Sequence, residues 1–183
     1  MFYLDSNNNK YYIGRAFNYS DIQYSAAAAT QAKFTELGFT QVTVDNAPDP
    51  TYYSFTGPDL TGSYSSTPKD LNTLKAYFIY NEKVRARQLL VSTDWLLIRK
   101  EETSDAVPAA VTTYRAAVRT ANSTRCNEIN AAADVAALET LIKATPTIDD
   151  PNNPGTAIVN PAAMTAYPES YDEEASIVSD YGL

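Results

Sequence analysis

The sequence contains no histidine and one cysteine, Cys126. The first absence removes Ser–His and Cys–His catalysis and every imidazole metal ligand. The second removes an internal disulfide framework and a thiolate zinc site. No apolar run approaches the ~20 residues that a membrane-spanning helix needs. The start, Met1-Phe2-Tyr3-Leu4-Asp5, has neither the basic opening nor the apolar stretch of a signal peptide. The expectation is a soluble chain made in a cytosol.

Basic residues are missing from one region altogether. All 14 lie in residues 1–143, beside 15 acidic ones, whereas residues 144–183 carry seven acidic residues and no basic one. Nearly all of the net charge of −8 therefore sits in the last 40 residues, which also hold five of the ten prolines. The pattern is a nearly neutral body followed by an acidic, proline-punctuated tail. The overall acidity argues against non-specific nucleic-acid binding.

Local signals divide the body. Two aromatic-rich runs, Met1 to Asp5 and Lys10 to Gly14, flank Ser6-Asn7-Asn8-Asn9, which predicts a β-hairpin. The alanine-rich stretch after Ser25 predicts a helix ending at Gly38. Strands are expected over Phe39 to Val44 and Tyr52 to Phe55, then a loop to Ser66. Thr67-Pro68-Lys69-Asp70 reads as a helix start with Thr67 as cap. Leu71, Leu74, Phe78, Ala86, Leu89 and Leu90 form its apolar face up to about Val91. Ser92-Thr93-Asp94 ends or re-caps it, and Arg99 to Ala106 is expected to be a polar loop. From Pro108, residues Val111, Tyr114, Val118 and Ala121 recur at helical spacing. Asp134 caps a third helix with Val135, Leu138, Leu141 and Ile142 inward. No periodic apolar pattern follows Lys143.

The fold class is accordingly α+β, in three parts. Residues 1–66 form a small β-rich domain, residues 67–145 a two- or three-helix hairpin or bundle, and residues 146–183 an extended acidic arm. Ten of the 14 tyrosines lie in residues 1–80. They suit a core or a subunit interface better than a sugar-binding face, although rings do stack on sugars.

Other constellations are weak. Glu101-Glu102 and Glu173-Glu174 are neighbours in polar surroundings, whereas acid–base catalysis needs carboxylates converging across a cleft. Asp49, Asp59 and Asn7-Asn8-Asn9 lack the spacing of a calcium loop and suit turns equally well. Cys126 reads as an inert thiol. No catalytic, cofactor-binding or metal-ligating residue is assigned. Residues 69–125 carry ten basic and six acidic side chains, a surface complementary to the acidic tail of this chain or of a neighbour.

One stretch has a recognisable pattern. Arg85-Ala86-Arg87-Gln88-Leu89-Leu90-Val91-Ser92-Thr93-Asp94-Trp95 is followed, about twenty residues on, by Tyr114-Arg115-Ala116-Ala117-Val118-Arg119. This resembles the tail assembly chaperone family of tailed bacteriophages, and related virion structural proteins. Members carry Leu-Leu, Ser/Thr-Asp-Trp, a proline-containing link and a Tyr-Arg helix. The similarity covers about 40 residues, Arg85 to Arg119, and departs beyond them, where a third helix and an acidic tail replace the family's proline- and tryptophan-containing end. It implies a helical hairpin defined by Leu89, Leu90, Asp94, Trp95, Tyr114, Arg115 and Arg119. Trp95 would plug its turn, Tyr114 would pack across it, and Asp94 would cap a helix or pair with Arg115 or Arg119.

The resemblance implies phage tail biology. The expected function is a non-enzymatic structural or adaptor component of a tail, baseplate or tail-fibre attachment region, made in the host bacterial cytoplasm and located in the virion. Its partners would be other tail, baseplate or fibre proteins, or further copies of itself, with no nucleic acid and no membrane. Tyr167, Tyr171, Asp172, Glu173, Glu174 and Tyr181 are the expected docking residues of the arm. Deleting residues 146–183 is expected to leave the helical transition nearly unchanged. The alternatives are a transient tail or tail-fibre assembly chaperone and a host-glycan binding module.

Overall fold

The computed structural model describes residues 1–150, 153–169 and 171. The chain is α+β, and it divides into two compact units, one ending at Lys69 and the other beginning at Asp70.

In the first unit, strands β1 (Phe2–Leu4), β2 (Lys10–Tyr11) and β5 (Thr40–Val42) form an antiparallel sheet in the order β2-β1-β5. Tyr3 lies opposite Tyr11 on one side and Gln41 on the other. The β1–β2 turn is organised by Asp5. Its carboxylate accepts the backbone N–H groups of Asn7 and Asn9, the Asn9 side-chain amide and the Tyr11 hydroxyl, at 2.8–3.1 Å. These donors, the Asn9 side chain foremost, hold the Asp5 carboxyl below its ordinary range.

A second hairpin joins β3 (Phe17–Tyr19) to β4 (Ile22–Tyr24). Its two linking residues, Ser20 and Asp21, have φ of 50° and 61°, as a primed hairpin turn requires. The sequence reading missed it. The alanine-rich stretch holds a short 3-10 turn, Ala26–Ala28, capped by Ser25, and then α1 (Gln31–Glu36), capped by Thr30. Gly38 follows in the left-handed region with φ 77° and ends the helix, as expected. Tyr3, Phe34, Phe39 and Ala29 form the core of these elements, with Tyr11, Phe17, Tyr19 and Leu37 packed against it.

Strands β6 (Tyr53–Thr56) and β7 (Ser65–Pro68) pair antiparallel. Gly62, in the loop between them, cannot be replaced: a Cβ there would lie 2.0 Å from the Thr43 carbonyl oxygen. Thr67 and Pro68 therefore belong to a strand, not to the expected helix start. Pro68 has no N–H to give, and as the last residue of an edge strand it needs none.

The second unit opens at α2 (Leu71–Val91). Its cap is Asp70, whose carboxylate accepts the Thr73 backbone N–H at 2.7 Å. Helix α3 (Asp94–Thr103) follows after only Ser92 and Thr93, and takes up most of the expected loop. Arg99, Lys100, Glu101 and Glu102 favour helix, Asp94 sits at its positive end, and Lys100 lies in its last turn. Arg99 then closes the α3 end with two bonds to Asp105. Helix α4 (Ala109–Ala131) starts after Pro108, and α5 (Val135–Lys143) is capped by Asp134.

Helices α2 and α4 pack antiparallel. Lys75 bonds the Asn130 carbonyl, Glu82 meets Arg125, and Leu89 meets Tyr114, so one helix descends as the other climbs. The region beyond Lys143 is not a patternless arm. Strands β8 (Thr147–Asp150) and β9 (Asn153–Val159) form a hairpin, with Ile148 opposite Ile158. Beyond it, Thr165, Tyr167 and Tyr171 make contacts with α2 and α4.

Candidate functional site

The inward stripe of α4 reads Val111, Arg115, Val118, Ala121, Arg125 and Ile129, all buried. Two arginines thus occupy positions normally given to apolar residues. A buried guanidinium must be paired and hydrogen-bonded, and each of these two organises a cluster.

Arg115 anchors the end of the hairpin. Its guanidinium donates to the Leu90 carbonyl at 3.0 Å and the Thr93 hydroxyl at 2.6 Å, and pairs with Asp94 at 2.8 Å. Beside it the Tyr114 hydroxyl donates to the Leu89 carbonyl at 3.0 Å. These two carbonyls lie in the last turn of α2, where four carbonyls lack intrahelical partners. Five of the seven hairpin residues read from the sequence, Leu89, Leu90, Asp94, Tyr114 and Arg115, therefore meet in one cluster. Trp95 does not plug the turn: it is 42% exposed, and Thr93, 1% exposed, fills that place. The Ser-Thr pair that breaks α2 turns Thr93 inward and leaves Trp95, two residues later, on the outer surface. Arg119 is exposed and outside the bonded cluster.

Arg125 anchors the middle. It makes a two-pronged bond to Glu82, at 2.6 and 2.9 Å, and its third nitrogen donates to the Thr165 carbonyl at 2.6 Å. Burial pushes the Glu82 carboxyl up, and the bonds and charge of Arg125 outweigh this, so its pKa is lowered. Bonding to Glu82 raises that of Arg125.

The same groups hold a strap formed by residues 165–169 and 171. The Thr165 N–H and hydroxyl both donate to Glu128. The Tyr167 hydroxyl donates to the Glu82 carbonyl at 3.2 Å and accepts from the Asn122 amide at 2.9 Å. Arg125 and Arg85 stand 5.0 and 5.2 Å from its ring centre, within cation–π range. Burial, first of all, raises the Tyr167 pKa, so the hydroxyl stays protonated. Tyr171 lies 5.6 Å from Tyr114, ring centre to ring centre. Tyr167 and Tyr171, expected to dock on a partner, are thus engaged by the chain's own helices. Asp172, Glu173, Glu174 and Tyr181 lie outside the described residues.

Openings border this assembly, two of them beside the strap and the Arg115 cluster. One, of about 580 Å³, lies beside the strap, with Leu141, Ile142, Met164 and Tyr167 among its walls. The other, an open groove of about 350 Å³, is lined by Lys83, Arg87, Arg115 and Arg119, with Asp94.

No chemistry converges on either opening. Glu101 and Glu102 are exposed on α3. Asp49 accepts the Thr51 N–H, and Asp59 accepts the N–H groups of Thr61 and Ser63. These are turn contacts that occupy both carboxylates. Among the described residues no group of three or more His, Cys, Asp or Glu is placed to hold a metal ion. The Cys126 thiol has a raised pKa, chiefly through burial, which disfavours the reactive thiolate. Among the described residues no helix is long and apolar enough to cross a membrane.

Comparison of the chain with protein-family models, curated proteins and solved structures returns no match.

Proposed function

We propose that the chain is a non-enzymatic structural or adaptor component of a bacteriophage tail, baseplate or tail-fibre attachment region. The observation that carries this reading is the cluster at the end of the hairpin. Leu89, Leu90, Asp94, Tyr114 and Arg115, through which the sequence resembles tail assembly chaperones and related virion proteins, bond one another there. Their work is to fix one helix against another, and the polar groups are used up in doing so. The buried arginines and the strap make the helical unit a preorganised surface, which suits a docking module, since ordering costs are met before a partner arrives. The first unit fits the same role. Its tyrosines Tyr3, Tyr11 and Tyr19 pack against phenylalanines, which gives those rings a role in the core.

Mass spectrometry of purified virions tests the proposal. The chain is expected in intact particles in stoichiometric amount. Its presence in infected cells but absence from particles would overturn the structural role and favour a transient assembly chaperone.

A further inference from the structure

Helix α2 is apolar on two sides. One side, with Leu74 and Ala86 buried, belongs to the core of the helical unit. The other carries Tyr77, Tyr80, Val84 and Val91, exposed by 55, 66, 36 and 60%. Trp95 and Ile98 of α3, past the break at Ser92-Thr93, are 42 and 59% exposed. Tyr77, Val84 and Val91 recur at seven-residue steps, the period at which one helix presents a seam to another. From Tyr77 to Val91 the seam is roughly 21 Å long at ~1.5 Å per residue. Single exposed apolar residues need no explanation, but a row of large ones along one helix line does.

Charge selects the occupant. Lys83 and Arg87 flank the seam, are exposed, and form no ion pair among the described residues. Both also line the cationic groove, which Arg119 extends. Glu82, the one carboxylate within α2, faces inward and is bound to Arg125. On α2 the charges beside the seam are therefore cations, along one flank, with the neutral Asn81 and Gln88 along the other. Two copies packed antiparallel through it would set these cations against one another, an arrangement that interfaces select against, and neither copy offers a carboxylate on the flanks of α2 to pair with them.

We infer that the outer face of α2 is the docking site for an amphipathic helix of a partner protein, with apolar residues at heptad spacing and carboxylates on its flanks. Val84, Val91 and the two tyrosines bury against the apolar stripe of the partner helix. Lys83 and Arg87 pair with its carboxylates, which makes docking salt-sensitive. This inference rests on the reading of the chain as a docking component, which virion analysis tests separately. A chain that is present in virions yet fails the experiment below defeats this inference alone.

The experiment uses the full chain and two labelled 21-residue helical peptides. Both carry Leu at heptad positions a and d; one has Glu at positions e and g, the other Lys. Fluorescence anisotropy should show binding of the Glu peptide, and at least tenfold weaker binding of the Lys peptide. Val84→Ser with Val91→Ser should weaken Glu-peptide binding tenfold or more while leaving the helical melting transition unchanged. The conservative pair Lys83→Gln with Arg87→Gln should abolish the preference for Glu over Lys. Absence of binding, equal binding of the two peptides, or unchanged affinity in the Val84/Val91 variant would overturn the inference. So would concentration-dependent self-association of the unaltered chain that the same variant abolishes, because the face would then belong to a second copy.

Discussion

The two units solve the same problem with different groups. Around its three-stranded sheet the first unit closes on rings: Tyr3 stacks near Phe34 at 4.8 Å, Tyr11 on Phe39 at 4.6 Å, and Phe17 on Tyr24 at 4.6 Å. Its buried charge, Asp5, is spent on a turn. The second unit places Arg115 and Arg125 where rings or aliphatics would ordinarily sit, and then gives Arg115 acceptors from three residues, Leu90, Thr93 and Asp94, and Arg125 acceptors from two, Glu82 and Thr165. Rings give area and tolerate small shifts. Buried guanidinium groups give little net stability but demand one arrangement, because any other leaves a charge unpaired. The difference teaches where uniqueness is needed. The hairpin and the strap that crosses it are specified atom by atom.

The comparison can be broken from either side. Phe34→Ala should cost about 3–5 kcal/mol by loss of area and a residual cavity, and only the first unit should loosen. Arg125→Ala should cost about 3–5 kcal/mol as well, by stranding Glu82, with the loss confined to the helical unit. Site-resolved hydrogen exchange on each variant checks that the two losses are separate. Replacing both members, Glu82→Leu with Arg125→Met, should recover most of that loss. A double variant no better than Arg125→Ala would show that the ion pair itself, not the stranded charge, was stabilising.

Smaller effects follow from the strap. Tyr167→Phe removes a hydroxyl that bridges Asn122 and the Glu82 carbonyl, and should cost about 1–2 kcal/mol in a thermal melt. Acid should act on the same place. The Glu82 pKa is lowered in the folded chain, so its contribution is full above the ordinary carboxylate range. It is lost as pH falls through the lowered folded value. Tyr167 exchange or fluorescence should therefore change below about pH 4 in the native chain and not in Glu82→Gln. Least of all, Arg119→Ala, on the exposed side of α4, should alter stability by no more than about 0.5 kcal/mol.

The legible parts of the fold were those with local causes. The β1–β2 hairpin, the Gly38 stop, the α2 C-terminus at Val91 and the Asp134 cap each rest on a residue type suited to one backbone state. What was hidden depended on tertiary partners. Ser20-Asp21 did not announce a hairpin, because neither residue is a strong primed-turn former. Arg115 and Arg125 fall on the same helical stripe as Val111, Val118 and Ile129, but hydrophobic periodicity counts arginine as an outward residue. The strap was misread for the same reason. Thr165, Tyr167 and Tyr171 have no period of their own, and their partners lie on α2 and α4. Charge composition suggested a free acidic arm, yet the residues that return to the helices are its neutral ones. At the candidate site, five of the residues that carry the resemblance, Leu89, Leu90, Asp94, Tyr114 and Arg115, meet in the structure. The resemblance misplaced Trp95, whose exposure belongs to the outer face of the helices.

Residues 165–169 and 171 are part of the helical unit, and one melt tests this directly. Circular dichroism at 222 nm should compare the full chain with a chain ending at Met164. Loss of the Thr165, Tyr167 and Tyr171 contacts should lower the helical transition by at least about 5 °C, the shift expected for roughly 1 kcal/mol in a unit of this size. An unchanged transition would contradict the account and return this segment to the status of an independent arm.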